Sequence, residues 1–283
     1  MKKIILALSI LLTVMAFGGD FEDGLSAYDN KDYKKAVEIF TKLSDQGLAS
    51  AQYNLGLLYD KGKGVKQNYK KAVELYTKSA DQGNASAQYN LGLMYNNGKG
   101  VKQDYKKAVE LYTKAADQGG ALAQYNLGVM YDNGQGVKQD YKKAVELYTK
   151  SADQGGALAQ YNLGVMYGKG IEVKQDYKKA VELYIKAADQ GDAAAQYNLG
   201  NMYSNGKGVK QDYKKAVELY KKAADQGDAA AQHNLSNMYY DGRGVKKDKI
   251  KSYQWGMKAA KQGLIQAQNN LDLLCKESPW ACK

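Results

Sequence analysis

A near-identical segment recurs along this chain every 36 residues, and this repeat constrains the fold more than any other feature. The sequence Gln-Tyr-Asn-Leu-Gly returns five times in register, starting at Gln52, Gln88, Gln124, Gln160 and Gln196. Weaker copies start at Gln232 and Gln268. A fixed period of this length is typical of solenoids, in which each unit buries its apolar surface against its neighbours. The repeat therefore predicts a stack of similar units.

One unit has the pattern of two helices joined by a glycine-rich loop. In its second half, Tyr105, Val109 and Tyr112 share one helical face, while charged residues occupy the other. The first half, 87–97, is also helical in pattern but has apolar residues on two opposite faces, so one face is available to a neighbour or a ligand. The sequence Asn-Gly-Lys-Gly at 97–100 separates the halves, as expected for a turn. Each repeat is therefore predicted to be an antiparallel αα-hairpin.

These repeats resemble the Sel1-like repeat family, which is related to the tetratricopeptide repeat. The matching features are Leu91-Gly92, Tyr95, the loop Gly98-x-Gly100-Val101, Ala108, Tyr112 and Ala115. The resemblance covers most of the chain and implies an all-α fold, namely a right-handed superhelical solenoid of antiparallel αα-hairpins with 36-residue repeats.

The chain is predicted to divide into four segments. Residues 1–18 begin with lysines and continue as an apolar run, which is typical of a secretory signal peptide. Residues 19–47 form an atypical N-terminal hairpin, 48–263 hold six Sel1-like repeats, and 264–283 form a capping helix and a cysteine-bounded tail. A membrane anchor is the alternative for the first segment, but the run is short for a span of about 20 residues. We expect an exported bacterial protein, periplasmic or secreted, monomeric, with no stable membrane insertion after signal cleavage.

The chain has two cysteines, Cys275 and Cys282. In an exported protein two cysteines favour a disulfide, which here would hold the tail on the last helix; two reduced thiols are the alternative. The chain is also similar to the exported cysteine-rich proteins of Helicobacter, in which two cysteines per repeat link one hairpin to the next. The corresponding positions hold Ala80 and Gln88 in one repeat, so repeat disulfides are not expected.

The composition is basic, with a formal net charge of +11 and a pI near 9.2. The positive residues are nearly all lysines, and Arg243 is the sole arginine. Arginine is the residue that reads bases and holds phosphate in a fork. We therefore predict no nucleic-acid partner and interpret the lysines as a solvated face, with weak attraction to anionic envelope surfaces as the alternative.

No motif for catalysis or metal binding is recognisable in the sequence. His233, the single histidine, occupies a repeat tyrosine position, and HExxH, GxSxG and nucleotide fingerprints are absent. We therefore predict no catalytic residue, no metal and no cofactor. The resemblance to the Helicobacter proteins, which are commonly labelled β-lactamases or penicillin-binding proteins, implies the alternative of such an enzyme. The one SxxK sequence runs from Ser204 to Lys207 at a predicted helix end, and the accompanying KTG and SDN motifs are absent.

The positions that differ between repeats mark a candidate binding surface on the first helix of each unit. The position of Leu93 changes from apolar to polar along the chain, reading Leu57, Leu93, Val129, Val165, Asn201 and Asn237. It lies on the face of Tyr89, opposite Leu91. First helices line a concave groove in related solenoids, so we predict that a protein or peptide partner in the cell envelope or outside the cell contacts Tyr89, Tyr125, Leu93 and Val129. Neutral drift at exposed positions is the alternative.

An asparagine repeated at one position forms a second candidate set. Its members are Asn54, Asn90, Asn126, Asn162, Asn198, Asn234 and Asn270. In tetratricopeptide proteins an asparagine at this place often grips the backbone of an extended peptide, and an amide suits this because it both donates and accepts hydrogen bonds. We call this set the asparagine ladder and predict that it binds peptide. A structural asparagine bonded between helices is the alternative.

Overall fold

The computed structural model describes residues 19–282, which fold into helices and connecting loops without a strand. Helix α1 covers 19–29. The helices that follow are all of equal length: α2 Tyr33–Asp45, α3 Ala49–Lys61, α4 Tyr69–Asp81, α5 Ala85–Asn97, α6 Tyr105–Asp117, α7 Ala121–Asn133, α8 Tyr141–Asp153, α9 Ala157–Lys169, α10 Tyr177–Asp189, α11 Ala193–Asn205, α12 Tyr213–Asp225, α13 Ala229–Asp241, α14 Lys249–Lys261 and α15 Ile265–Glu277. A short 3₁₀ helix, η1, spans Pro279–Cys282. The predicted signal peptide, 1–18, lies outside the described residues.

The chain divides into two compact units, 1–140 and 141–283. The described part of unit 1 holds α1 to α7, and that of unit 2 holds α8 to α15 and η1. Within each unit, from α2 onward, every helix packs on the next one along the chain. The predicted all-α fold of repeated helical hairpins is confirmed. We call α3, α5 and α7 the first helices of unit 1, and α9, α11 and α13 those of unit 2; the helix after each GxG-type loop is a second helix.

Local signals in the sequence mark the start of most second helices and the end of the first helices. The second helix α6 begins after Asp104, whose Oδ1 accepts the backbone N–H of Lys107 at 3.1 Å. The first helix α5 ends at Gly98, which adopts the left-handed conformation with φ of 66° and donates its N–H to the carbonyl of Met94. Because these residues recur in the repeat, the same hairpin forms again and again.

A tyrosine packed on a glycine sets the distance between the two helices of a hairpin. Tyr112 is 1% exposed, and a Cβ added to Gly92 would lie 2.7 Å from its ring. Gly56–Tyr76, Gly164–Tyr184 and Gly200–Tyr220 repeat this arrangement. Glycine inside a helix costs about 1 kcal/mol relative to alanine, so its presence here reflects the need for close approach of the tyrosine ring.

A buried glutamine connects neighbouring hairpins. Gln88 Nε2 donates to the carbonyl of Ala80 at 3.2 Å, and Gln88 Oε1 accepts from Gln118 Nε2 at 2.8 Å. Both groups of the buried amide are thereby satisfied. The pair Ala80 and Gln88 occupies the positions at which the Helicobacter resemblance would place cysteines, so a hydrogen bond joins the hairpins at that point.

Candidate functional site

A cleft in unit 1 is lined by residues of three first helices, α3, α5 and α7, and has a volume of about 590 Å³. The predicted site residues in its lining are Tyr89, Asn90 and Leu93, all on α5. Tyr53 and Leu57 on α3 occupy the equivalent positions and line it as well. The structure therefore brings part of the predicted set together in one cavity.

Leu122, on α7, lines the same cleft and was missed by the sequence reasoning. Its side chain is 63% exposed, which makes it the most exposed large apolar residue of the described part of unit 1. A signal for it was present, because this position also varies between repeats, reading Ser50, Ser86, Leu122, Leu158, Ala194 and Ala230. An exposed leucine at the wall of a cavity marks a candidate contact for an apolar ligand group.

Charged residues stand at the rim of the cleft. Asp60, Lys61 and Lys99 are part of its lining. Asp60 Oδ2 and Lys61 Nζ form an ion pair at 3.1 Å. Of these three residues, only Lys99 therefore has a positive charge that is not balanced by the others. The Lys99 ammonium lies 5.7 Å from the ring centroid of Tyr69. The rim therefore favours an acidic group on a ligand near Lys99.

The asparagine ladder in unit 1 makes bonds within the protein. Asn54 Nδ2 donates to the carbonyl of Ser50 at 2.9 Å, and Asn126 Nδ2 donates to the Tyr89 hydroxyl at 3.4 Å. Burial raises the pKa of Tyr112 above its ordinary value, and a hydrogen bond from Asn126 opposes that rise. The Asn54 bond lies within α3, whereas the Asn126 contacts join neighbouring repeats, which is the structural alternative considered above.

In unit 2 the ladder bonds to the polar residues that replace Leu93. Asn201 Oδ1 accepts from the Tyr220 hydroxyl at 2.7 Å and from Asn234 Nδ2 at 3.1 Å. Asn237 Oδ1 accepts from Asn270 Nδ2 at 2.9 Å. The change from apolar to polar at this position therefore has a structural consequence, because each new asparagine side chain is occupied by a neighbour in the following repeat.

The remaining predicted residues lie outside the cleft lining. Tyr125 and Val129 follow on α7 and are half-buried. Asn162 on α9 and Asn198 on α11 are half-buried in unit 2. A hydrogen bond from Asn198 opposes the burial-driven rise in the pKa of Tyr184. A role of these residues in binding stays a prediction.

The residues of the SxxK sequence each have a partner other than the one that hydrolysis would need. The Lys207 ammonium lies 5.4 Å from the ring centroid of Tyr177. Ser204 lies in the last turn of α11, and a hydrogen bond with Ser204 lowers the pKa of Tyr220 against the larger effect of burial. An SxxK site needs the lysine beside the serine oxygen to accept its proton. This geometry does not favour the enzyme alternative.

Across 19–282, no group of three or more His, Cys, Asp or Glu side chains is arranged to hold a metal ion. The ring of His233 is half-buried, with Nε2 3.1 Å from Asn237 Nδ2 and Nδ1 without a partner. Burial lowers its pKa. In the same part of the chain, no helix combines the length and apolar character needed for a membrane span.

The C-terminal tail is closed by a disulfide between Cys275 and Cys282, whose Cα atoms are 5.6 Å apart. The bridge connects the end of α15 to η1. Ser278, between them, is buried, and its Oγ accepts from Lys249 Nζ at 2.7 Å. These contacts hold the tail on the first turn of α14.

The family model of the Sel1 repeat matches seven successive segments: 21–48, 49–84, 85–120, 121–156, 157–192, 193–228 and 229–264. The first of these coincides with the hairpin that was predicted to be atypical. No curated protein sequence matches the chain.

Several solved structures are similar to the chain. A Sel1 repeat protein from Oxalobacter formigenes shares 36% identity over 85% of this chain and 96% of its own, with a TM-score of 0.77. A protective antigen of uropathogenic Escherichia coli with an SLR fold shares 33% identity over 89% of this chain and 70% of its own, with a TM-score of 0.42. Helicobacter pylori cysteine-rich protein B shares 30% identity over 46% of this chain and 94% of its own, with a TM-score of 0.37. The predicted resemblance, without repeat disulfides, is confirmed.

Proposed function

The chain belongs to the Sel1 repeat family, whose members are generally protein-binding scaffolds, and we propose that it binds an extended peptide segment of a partner protein in the cleft of unit 1. We further propose that it acts as an exported monomer in the periplasm or outside the cell. The observation that carries the peptide proposal is the cleft itself, which combines apolar walls with the exposed side chain of Leu122.

The size and lining of the cleft suit one large apolar side chain of a peptide. A volume of about 590 Å³ falls within the range of about 300–1,000 Å³ that is usual for ligand pockets. Leu57, Leu93 and Leu122 would contact the apolar group. Asn90 in the same lining offers an amide for the peptide backbone, and Lys99 at the rim favours an acidic residue next to the anchor. The proposed ligand is therefore an apolar residue beside an acidic one in an extended segment.

Selection of peptides from a random library displayed on phage, with the purified chain as bait, tests this proposal. Leu122→Ser is the informative variant because serine is the native residue at Ser50 and Ser86, so the hairpin tolerates it. Leu158→Ser is the matched control, since Leu158 is the equivalent exposed leucine of unit 2. We expect Leu122→Ser to weaken the selected peptides about tenfold, from the loss of about 1.5 kcal/mol of apolar contact. We expect Leu158→Ser to have no effect.

Peptides that bind both variants as well as the native chain would contradict a site at the cleft. Export is tested separately by sequencing the N-terminus of the protein recovered from bacterial periplasm and medium. We expect it to begin after Ala16 or Gly18, and an intact Met1 on all of the protein would contradict export.

A further inference from the structure

The last full repeat departs from the others at three positions, one at the end of its loop and two at the start of α14, that line one depression. The five preceding GxG-type loops read Gln, Tyr and Lys at these positions, as in Gln211, Tyr213 and Lys214. The last one reads Lys247, Lys249 and Ile250. The exchange adds positive charge and exposes an isoleucine, which is 48% exposed. A solvated loop needs neither change.

These residues line a depression of about 730 Å³ in unit 2, which we call the basic depression. Its lining is Tyr239, Val245, Lys246, Lys247, Asp248, Lys249, Ile250, Lys251 and Trp280. Trp280 comes from the C-terminal tail and is 62% exposed. The depression thus combines four lysines with two exposed apolar side chains.

The acidic residues near the depression are occupied within the protein. Asp248 Oδ1 accepts the N–H of Lys251 as the cap of α14, and its Oδ2 lies 3.6 Å from Lys251 Nζ. Glu277 accepts from the Tyr240 hydroxyl and lies 3.7 Å from Lys249 Nζ. Lys246 and Lys247 form no ion pair within 19–282, and both are exposed. The Lys247 ammonium lies 5.4 Å from the ring centroid of Tyr240, a contact that leaves its positive charge available to an anionic ligand.

The tail holds Trp280 in place beside the lysines. Lys249 Nζ donates a hydrogen bond to Oγ of the buried Ser278 at 2.7 Å. The disulfide closes the turn that contains Trp280. An exposed tryptophan side chain is unfavourable in water, so a tryptophan that the tail holds exposed beside other apolar and charged residues indicates a contact surface. Tryptophan and an aliphatic side chain flanked by lysines match the boundary of an anionic lipid layer, where rings sit at the headgroups and lysines contact phosphate.

We propose that the basic depression binds the surface of a membrane that contains anionic phospholipid. Lys246 and Lys247 contact lipid phosphates, and Ile250 and Trp280 enter the headgroup boundary. Attachment is peripheral. A nucleic-acid ligand is disfavoured because the lining contains no arginine.

Sedimentation with sucrose-loaded vesicles tests this proposal, with vesicles of phosphatidylcholine alone and vesicles with about 30% phosphatidylglycerol. We expect binding to the second kind only. The double variant Lys246→Gln/Lys247→Gln should bind about 25-fold more weakly, because each lysine near an anionic surface contributes about fivefold. The matched control is Lys210→Gln/Lys214→Gln, which removes the same charge from the preceding repeat and should bind almost as the native chain does.

Ile250→Lys separates insertion from general charge attraction. It restores the residue of the other repeats and adds a positive charge, so a purely electrostatic surface would bind vesicles more tightly. If Ile250 inserts, Ile250→Lys should bind vesicles more weakly. In a Trp255→Phe background that keeps Ile250, Trp280 is the sole tryptophan, and its fluorescence should shift to the blue when vesicles are added. Far-UV circular dichroism checks that each variant is folded.

Three results would overturn the proposal. The first is that the chain binds both kinds of vesicle equally. The second is that the two double variants lose the same amount of vesicle affinity. The third is that the chain binds no vesicles but binds polyglutamate in a way that depends on Lys246 and Lys247. The last would identify an acidic protein surface as the ligand. Loss of peptide binding at the cleft of unit 1 would not affect any of these readouts.

Discussion

Alanine substitution at two glycines of one helix should change stability in opposite directions. Gly164 and Gly168 both lie inside α9, four residues apart. A Cβ on Gly164 would lie 2.8 Å from Cε1 of the buried Tyr184 ring, whereas a Cβ on Gly168 would meet nothing nearer than 3.7 Å. Overpacking a core costs about 1–3 kcal/mol, and alanine is favoured over glycine in a helix by about 1 kcal/mol.

For Gly164→Ala, an overpacking cost of about 2 kcal/mol is partly offset by a helix gain of about 1 kcal/mol, so the free energy of unfolding should fall by about 1 kcal/mol. For Gly168→Ala it should rise by up to about 1 kcal/mol. The difference of about 2 kcal/mol is the more secure quantity, since both changes restrict the unfolded chain equally.

Urea unfolding followed by far-UV circular dichroism measures both variants against the native chain. A midpoint that falls for Gly164→Ala and rises for Gly168→Ala would support the packing argument. If Gly164→Ala were as stable as Gly168→Ala, the ring of Tyr184 would be able to move aside, and glycine would not set the helix spacing.

Three further outcomes are expected. Glu172→Gly should raise the free energy of unfolding by about 1 kcal/mol in urea titration, because Glu172 holds a φ of 54° where other repeats have glycine. Burial raises the pKa of Tyr220 to about 12 from an ordinary 10.0. The contribution of neutral Tyr220 to the free energy of unfolding is therefore complete below about pH 10 and falls as the pH rises towards 12. Urea midpoints measured across that pH range would detect the fall. The purified chain should not turn over a chromogenic β-lactam; turnover that disappears in Ser204→Ala would instead support the enzyme alternative.

Much of the fold could be predicted from the sequence because each repeat carries its own local signals. Asp104 caps a helix, Gly98 ends one, and the stripe through Tyr112 marks the buried face. These signals act within a few residues, and their recurrence at a fixed interval makes the pattern hard to mistake.

Side-chain partners across repeats were less accessible to sequence reasoning. The ladder was predicted to face a peptide, yet Asn234 donates to Asn201, a residue 33 positions away. Leu122 was passed over because the pattern of α7 places it near a helix start, where exposure depends on the neighbouring hairpins. Both facts follow from the stacking of units, which periodicity predicts only in outline.

Because hydrogen bonds and not disulfides join the repeats, reduction of the single disulfide should affect only the C-terminal part of the chain. Gln88 bonds to Ala80 of the preceding hairpin and to Gln118 of its own hairpin, and reductant does not affect these bonds. The one disulfide, Cys275–Cys282, closes a short loop, for which loop entropy gives about 2–3 kcal/mol. Because a repeat contacts mainly its neighbours, dithiothreitol should speed hydrogen exchange in 264–282 and leave the amides of α3 to α6 protected as before. Faster exchange throughout α3 to α6 would mean that the tail stabilises repeats distant from it in the sequence, and the glutamine bonds would then not be sufficient to hold the hairpins together.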